Sequence, residues 1–185
     1  MSVLDRIFGG AARADARERE RRVRRFHDEV LAARATASAA PVLTALRSRP
    51  AELGLTPDDV DLELEMVEGL IELAALKSSV EAGGALPVVA TTHRAVDGDI
   101  CHMIATASRP DVTGDAGGRL FLTDRRIVYL GTPGLNIGWP HVVEGRDADR
   151  DFTVRLRTGQ THTFRCNSYA DTVRAAWLAG RMLGG

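Results

Sequence analysis

The stretch that most constrains how this chain folds is Gly118–Gly131, GRLFLTDRRIVYLG. Two apolar runs, Leu120–Leu122 and Ile127–Leu130, flank the polar corner Thr123–Asp124–Arg125–Arg126. β-Branched and aromatic residues on either side of a short turn led by Asp predict a β-hairpin.

Strands are predicted at Leu86–Thr92 and Ile100–Ala107, with Asp97–Gly98 turning between them. Residues 108–118, SRPDVTGDAGG, are a loop. Beyond the hairpin, Leu135–Trp139 is a short strand ended by Pro140, and Val142–Arg146 is another. Phe152–Arg157 and Thr161–Cys166 form a second hairpin about Thr158–Gly159–Gln160. There Phe152, Val154 and Leu156 face one way, and Thr153, Arg155 and Arg157 the other. Phe164 falls on the apolar face, Thr163 and Arg165 on the polar one. Ser168, with Asp171 three residues on, caps a closing helix from Tyr169 to about Leu183. Its predicted buried stripe is Tyr169, Val173, Ala176, Trp177 and Gly180. Residues 99–183 thus read as about seven antiparallel strands and one C-terminal amphipathic helix.

The first half is helical. Residues 11–36 are rich in Ala, Arg and Glu and lack Gly and Pro, which predicts a helix on propensity alone. Val23, Phe26, Val30 and Leu31 give it a narrow apolar stripe. Arg17, Arg21, Arg22, Arg24 and Arg25 form a dense cationic girdle, relieved by carboxylates at helical spacing in pairs such as Glu18–Arg22, Glu20–Arg24 and Arg25–Asp28. Ahead of it, Val3, Leu4, Ile7 and Phe8 fall on one side of a possible helical turn before Gly9–Gly10. Residues 37–55 are a linker holding a short helix, about Val42–Arg47, closed by Arg49–Pro50. Thr56 as N-cap, Pro57 at the first helical position and Asp59 completing a capping box then start a helix expected to run to about Glu81. Val60, Leu64, Val67, Leu70, Ile71 and Ala74 face one way along it. Gly83–Gly84 ends it.

Charge is unevenly spread over the 185 residues: net +5 in residues 1–50, −8 in 51–86 and +2 in 87–185, with an overall net of −1. The simplest expectation is that the acidic helix lies against the basic one as an antiparallel hairpin. Domains are expected at residues 1–84, a helical arm with helices near 11–36 and 57–81, and at 85–185. No run of 18 apolar residues marks a membrane span. The start, MSVLDRIFGG, is too short and charged for a secretory signal. Two widely separated cysteines, Cys101 and Cys166, make no disulfide framework, so a cytoplasmic setting is the expectation.

The order of elements and the residues together resemble a family. "GRLFLTDRRIVYLG" resembles the G-x-L-x-x-T-x-x-R-hydrophobic hairpin of bacterial pleckstrin-homology (PH)-like and GRAM-like domains. "LNIGWPHVVEG" is similar to the strand, turn and strand that follow it. "FRCNSYADTVRAAWLAGRML" is similar to the last strand and closing helix. The likeness covers about residues 86–183. It implies an α+β fold, a seven-stranded antiparallel PH-like barrel closed by a C-terminal helix, here preceded by an N-terminal α-helical region. It also implies that Trp177 plugs the barrel as a core residue and that Trp139 is packed. Arg126 is expected to hold the hairpin to a neighbour. In lipid-binding eukaryotic relatives the first loop is rich in basic residues; here Ser108–Gly118 has only Arg109 against Asp111 and Asp115.

No phosphate loop or nucleophile elbow is present: Thr113–Gly118 lacks the lysine and precedes a strand. Cys101, His102, His162 and Cys166 do not make a metal set, since Cys101 and His102 are adjacent on a strand and structural zinc wants four ligands. The expectation is therefore a non-catalytic module without cofactor. It would engage a protein partner or a second copy of itself. Its candidate surface is Arg17, Arg21, Arg22, Arg24 and Arg25, with Arg155, Arg157 and Arg165 on one sheet face. The alternative is peripheral association with an anionic membrane through Met1–Phe8 and the Arg-rich helix. Nucleic acid is the weakest of these readings, since no groove-reading motif accompanies the charge.

Overall fold

A computed structural model describes residues 3–36, 39–114 and 117–184, with side chains from Arg13 onward. The chain divides into two compact units, Met1–Ala74 and Ala75–Gly185.

In the first unit the Ala/Arg/Glu-rich run forms a single helix, α1 (Val3–Ala35). It begins well before residue 11, the expected start. Gly9–Gly10 does not interrupt it; each glycine costs a helix about 1 kcal/mol, which the long run of strong helix formers behind it outweighs. The apolar side chains of the Met1–Phe8 segment lie outside the described residues. Phe26 and Val30 are fully buried, and Ala33 nearly so.

The second helix, α2 (Ala40–Glu52), is twice the length expected and runs through Arg49–Pro50. Pro50 has no N–H to bond the carbonyl of residue 46, but its own carbonyl closes the helix. Leu55 N–H donates to Pro50 O at 2.9 Å and Gly54 N–H to Ala51 O at 3.0 Å. Gly54 takes the left-handed φ of 64° that this double-bonded end requires. Leu55 is buried just beyond it.

The capping signal at Thr56 is real but starts only a 3-10 turn, Pro57–Asp59. The Asp59 carboxylate accepts from Thr56 N–H at 2.8 Å and from the Thr56 hydroxyl at 2.9 Å. Val60, at φ −145° and ψ 32°, breaks the expected Pro57–Glu81 helix, and α3 (Asp61–Glu81) begins after it. Val60, Met66 and Val67 are buried, while Leu64, Leu70, Ile71 and Ala74 are half-buried.

The antiparallel neighbour of α1 is α2, not the acidic helix. Arg22 Nη1 donates to Leu53 O at 3.0 Å, and Arg49 grips Glu29 at 2.8 and 3.1 Å, so residue numbers rise on one helix as they fall on the other. The start of the acidic segment does reach α1, through Asp59 to Arg19 and Glu63 to His27 Nδ1. Charge sign was a poor guide to the packing partner because exposed ion pairs contribute only about 0–1 kcal/mol each, less than a buried apolar side chain.

The second unit is one seven-stranded antiparallel sheet: β1 (Cys101–Ser108), β2 (Gly118–Thr123), β3 (Arg126–Leu130), β4 (Leu135–Gly138), β5 (Val142–Ala148), β6 (Asp151–Leu156) and β7 (Thr161–Cys166). The spatial order is β4-β3-β2-β1-β7-β6-β5. Two meanders are thus joined where Ala107 and Ser108 pair with Cys166 and Arg165. With α4 (Tyr169–Leu183) closing the chain, this is an α+β, PH-like arrangement.

The first hairpin pairs Leu120 with Tyr129, Phe121 with Val128 and Leu122 with Ile127. It is buried on both faces. Leu120, Leu122, Ile127 and Tyr129 enter the main core with Phe152, Val154, Phe164 and Leu178. Phe121 and Val128 form a second cluster with Val96 and Cys101. Burial on both sides is why these strands are continuous apolar runs and not alternating ones. The flanking glycines permit close approach: a Cβ on Gly118 would lie 2.1 Å from Leu130 O, and one on Gly131 2.3 Å from the Tyr129 ring.

Leu86–Thr92 is not a strand. It runs beside β1 with a ladder bond, Val89 N–H to Cys101 O at 2.8 Å; Val89 packs on the second cluster and Leu86 on the main core. Pro87 has no N–H to extend the ladder, and its carbonyl is taken by His102 Nδ1 at 2.7 Å.

The closing helix has the expected ends, and the Ser168 hydroxyl accepts from Asp171 N–H at 3.1 Å. Its buried stripe departs from the predicted one after Val173. Ala175, Leu178 and Ala179 are fully buried, whereas Trp177 is half-buried at the rim of the core and Gly180 is exposed. Trp177 is therefore not the plug; the small Ala175 and Ala179 let the helix lie close on β5 and β6. A Cβ on Gly145 of β5 would sit 2.6 Å from that of Ala179.

Candidate binding surfaces

Phe26 and Val30 fix which side of α1 turns inward. Helical periodicity then turns Arg17, Arg21, Arg24 and Arg25 outward, and all four are exposed. Arg21 pairs with Glu18 at 3.2 Å, Arg24 with Glu20 at 3.5 Å and Arg25 with Glu29 at 3.1 Å. Of the expected pairs, Glu20–Arg24 forms as such. Arg25 takes Glu29 in place of Asp28, and the Arg22 Nε donates to the Glu18 carbonyl instead of its carboxylate. Arg22 is set apart from the others, since it is half-buried and tied to Leu53. Arg21, Arg24, Arg25, Asp28, Glu29 and Ala32 line a shallow open depression of about 550 Å³.

At its edge Glu29 is shared between Arg25 and Arg49. The hydrogen bonds from Arg49 hold its carboxyl below the usual carboxylate range, against the opposing effect of burial. Glu29 and Glu52 in turn hold Arg49 firmly charged. The sequence offered no sign of this junction, because it joins residues 20 positions apart through the α1–α2 packing.

The three sheet arginines are exposed, and each has a partner within its own unit. Arg165 makes two bonds to the Asp151 carboxylate, at 2.8 and 2.9 Å, across directly paired strand positions. Arg155 donates to Glu144 at 2.9 Å, again directly opposite in register. Arg157 Nε donates to Pro140 O at 2.7 Å.

Arg126 does hold the hairpin. Its Nε donates at 2.7 Å to Asp99, whose side chain is 2% exposed. Trp139 is packed as expected, its Nε1 donating to Thr123 O at 2.8 Å. Arg109, the one basic residue of the first loop, is turned inward. It is 6% exposed and stands 3.3 Å from both Asp111 and His162 Nδ1. Burial first, and Arg109 second, hold the His162 imidazole below its ordinary pKa. Both thiols are buried. Desolvation raises that of Cys101 and pushes that of Cys166 up to about 11. Cys101 lies in the second cluster and Cys166 in the main core. Among the described residues no three His, Cys, Asp or Glu side chains converge as metal ligands, and no helix is long and apolar enough to cross a membrane.

No family model matches this chain. No curated protein matches it either. Solved structures do. The C-terminal domain of an unknown protein from Leishmania infantum is 15% identical, with 61% of this chain and 98% of that one covered at a TM-score of 0.39. The linker-DH/PH domains of p115-RhoGEF are 9% identical, with 88% and 54% covered at 0.42. The DH/PH fragment structure of PDZRHOGEF, solved in complex with human RhoA, is 12% identical, with 87% and 53% covered at 0.41. The chain spans about half the length of these RhoGEF chains.

Proposed function

We propose that this chain is a non-catalytic binding module that engages a protein through the outward face of α1. The observation that carries this is the make-up of that face: arginines stand in a row along it, and Glu18, Glu20 and Glu29 flank them within ion-pair distance. A protein surface of mixed sign can replace such pairs one for one. A polyanion or an anionic bilayer would have to strip the carboxylates away or repel them. The sheet arginines support the same reading, since each is already held by a carboxylate or carbonyl of its own unit.

Sedimentation with anionic vesicles at low salt tests it. The native chain is expected to stay in the supernatant, as is a variant carrying Arg17→Glu, Arg21→Glu and Arg24→Glu. Pelleting of the native chain that the triple variant abolishes would overturn the protein-binding reading in favour of a membrane surface.

A further inference from the structure

Both charged helices of the first unit carry a row of like charges on the side turned away from their buried residues, flanked by Glu18 and Glu20 on α1 and by Arg47 of α2 on α3, so each face is mixed in sign. On α1 the row is Arg13, Arg17, Arg21 and Arg24, all exposed. On α3 it is Asp61, Glu65, Glu68 and Glu72; Asp61 and Glu72 are exposed, and the Glu68 side chain is 47% exposed. Each row advances in steps of three and four residues, so each follows one helix face. Each spans eleven residue steps, about 16 Å at the helical rise. Within the chain α1 takes α2 as its antiparallel neighbour and meets the acidic segment at Asp59 and Glu63, neither of which belongs to the acidic row.

We propose that the protein partner is a second copy of this chain, with the arginine row of each protomer laid along the acidic row of the other. The inference rests on the protein-binding reading above and names its occupant. The rows match in length, periodicity and opposite sign. One protomer carries both, so a two-fold axis forms the contact twice. Like charges at three- and four-residue spacing repel within each row, and the opposing row relieves both. The pairs now holding the row residues, such as Arg21–Glu18, Arg24–Glu20 and Arg47–Glu68, are solvent-exposed and exchange partners at little cost.

Sedimentation equilibrium of the full chain reads the mass directly. A dimer is expected at about 0.05 M salt, weakened at least tenfold at about 0.5 M as the charges are screened. Arg17→Glu with Arg21→Glu and Arg24→Glu should give a monomer. So should Asp61→Arg with Glu65→Arg and Glu72→Arg. Mixing the two variants should restore a dimer, because the reversed α1 row of one then meets the reversed α3 row of the other and the two native rows meet each other, both with opposite sign. Far-UV circular dichroism checks that the helices persist. Should a triple variant lose them, Arg21→Glu and Glu72→Arg singly carry the same test with a smaller shift. A native monomer at low salt, a dimer indifferent to both variants, or a mixture that stays monomeric overturns the proposal. A native monomer that also ignores vesicles leaves the protein-binding reading standing with another partner. A native monomer that pellets with vesicles, with pelleting lost in the arginine variant, overturns both.

Discussion

Asp99 anchors the first hairpin from outside it. Its carboxylate accepts from Arg126 Nε at 2.7 Å and from the Thr123 hydroxyl at 3.3 Å, with Arg125 at 3.8 Å. Removing it would leave the Arg126 guanidinium without its charged partner beside a sealed core. Asp99→Ala is therefore expected to lower stability by about 2–3 kcal/mol, read from urea unfolding. His162 supplies a pH dependence. Its pKa lies below the ordinary 6.5 in the folded chain, because burial and Arg109 disfavour the imidazolium, with Asp111 partly opposing. The unfolded chain then takes up the proton first as pH falls. Stability contributed by the neutral ring is present above about pH 6.5 and is lost as pH falls toward the lower folded value. The melting temperature of the native chain should drop more steeply between about pH 7.5 and 5.5 than that of His162→Gln. Equal slopes would remove His162 from the account.

Among the elements, α4 shows where periodicity stops being enough. Its ends were legible, because Ser168 and Asp171 state the start in chemical terms. Its buried stripe departs from the predicted one beyond Val173: Trp177, which the family resemblance implies as the plug, is half-buried. The surface below selects small residues instead: Gly145 faces Ala179 with no room for a methyl between them. Gly145→Ala should thus cost about 1–3 kcal/mol by overpacking. Leu178→Ala should cost about 2–5 kcal/mol as a core truncation and exceed the loss from half-buried Trp177→Ala, both read by thermal melts. The converse ranking would put Trp177 back at the centre. The second hairpin was legible in full, since alternation over Phe152–Leu156 is a property of the strand alone. Leu86–Thr92 was not, because Pro87 decides only how many ladder bonds can form, while apolar content said strand.

For the whole molecule, the strand order follows from the sequence because every connection within each meander is local; only the β1–β7 junction is long-range. The outward arginine row was legible in the same way, from helical spacing. The sheet arginines were legible in part: alternation sets them outward and Asp151 is a partner within reach, whereas only register sets Arg155 opposite Glu144. The α1–α2 pairing was hidden because it joins residues far apart in the chain, Arg49 with Glu29 and Arg22 with Leu53 O, while the visible signal was the net charge of each helix. The double-sided burial of the first hairpin has a kinetic consequence. Val89, Ala95 and Val96 lie over Cys101 in the second cluster, a flap of chain ahead of β1, and Cys166 sits in the main core. Only a thiolate attacks a disulfide reagent, and both thiols are buried with raised pKa values. Each therefore reports the opening of its own compartment. Labelling in native buffer should proceed at two rates, Cys101 first as the flap lifts and Cys166 only with global unfolding. A single shared rate would mean that flap and sheet open as one unit.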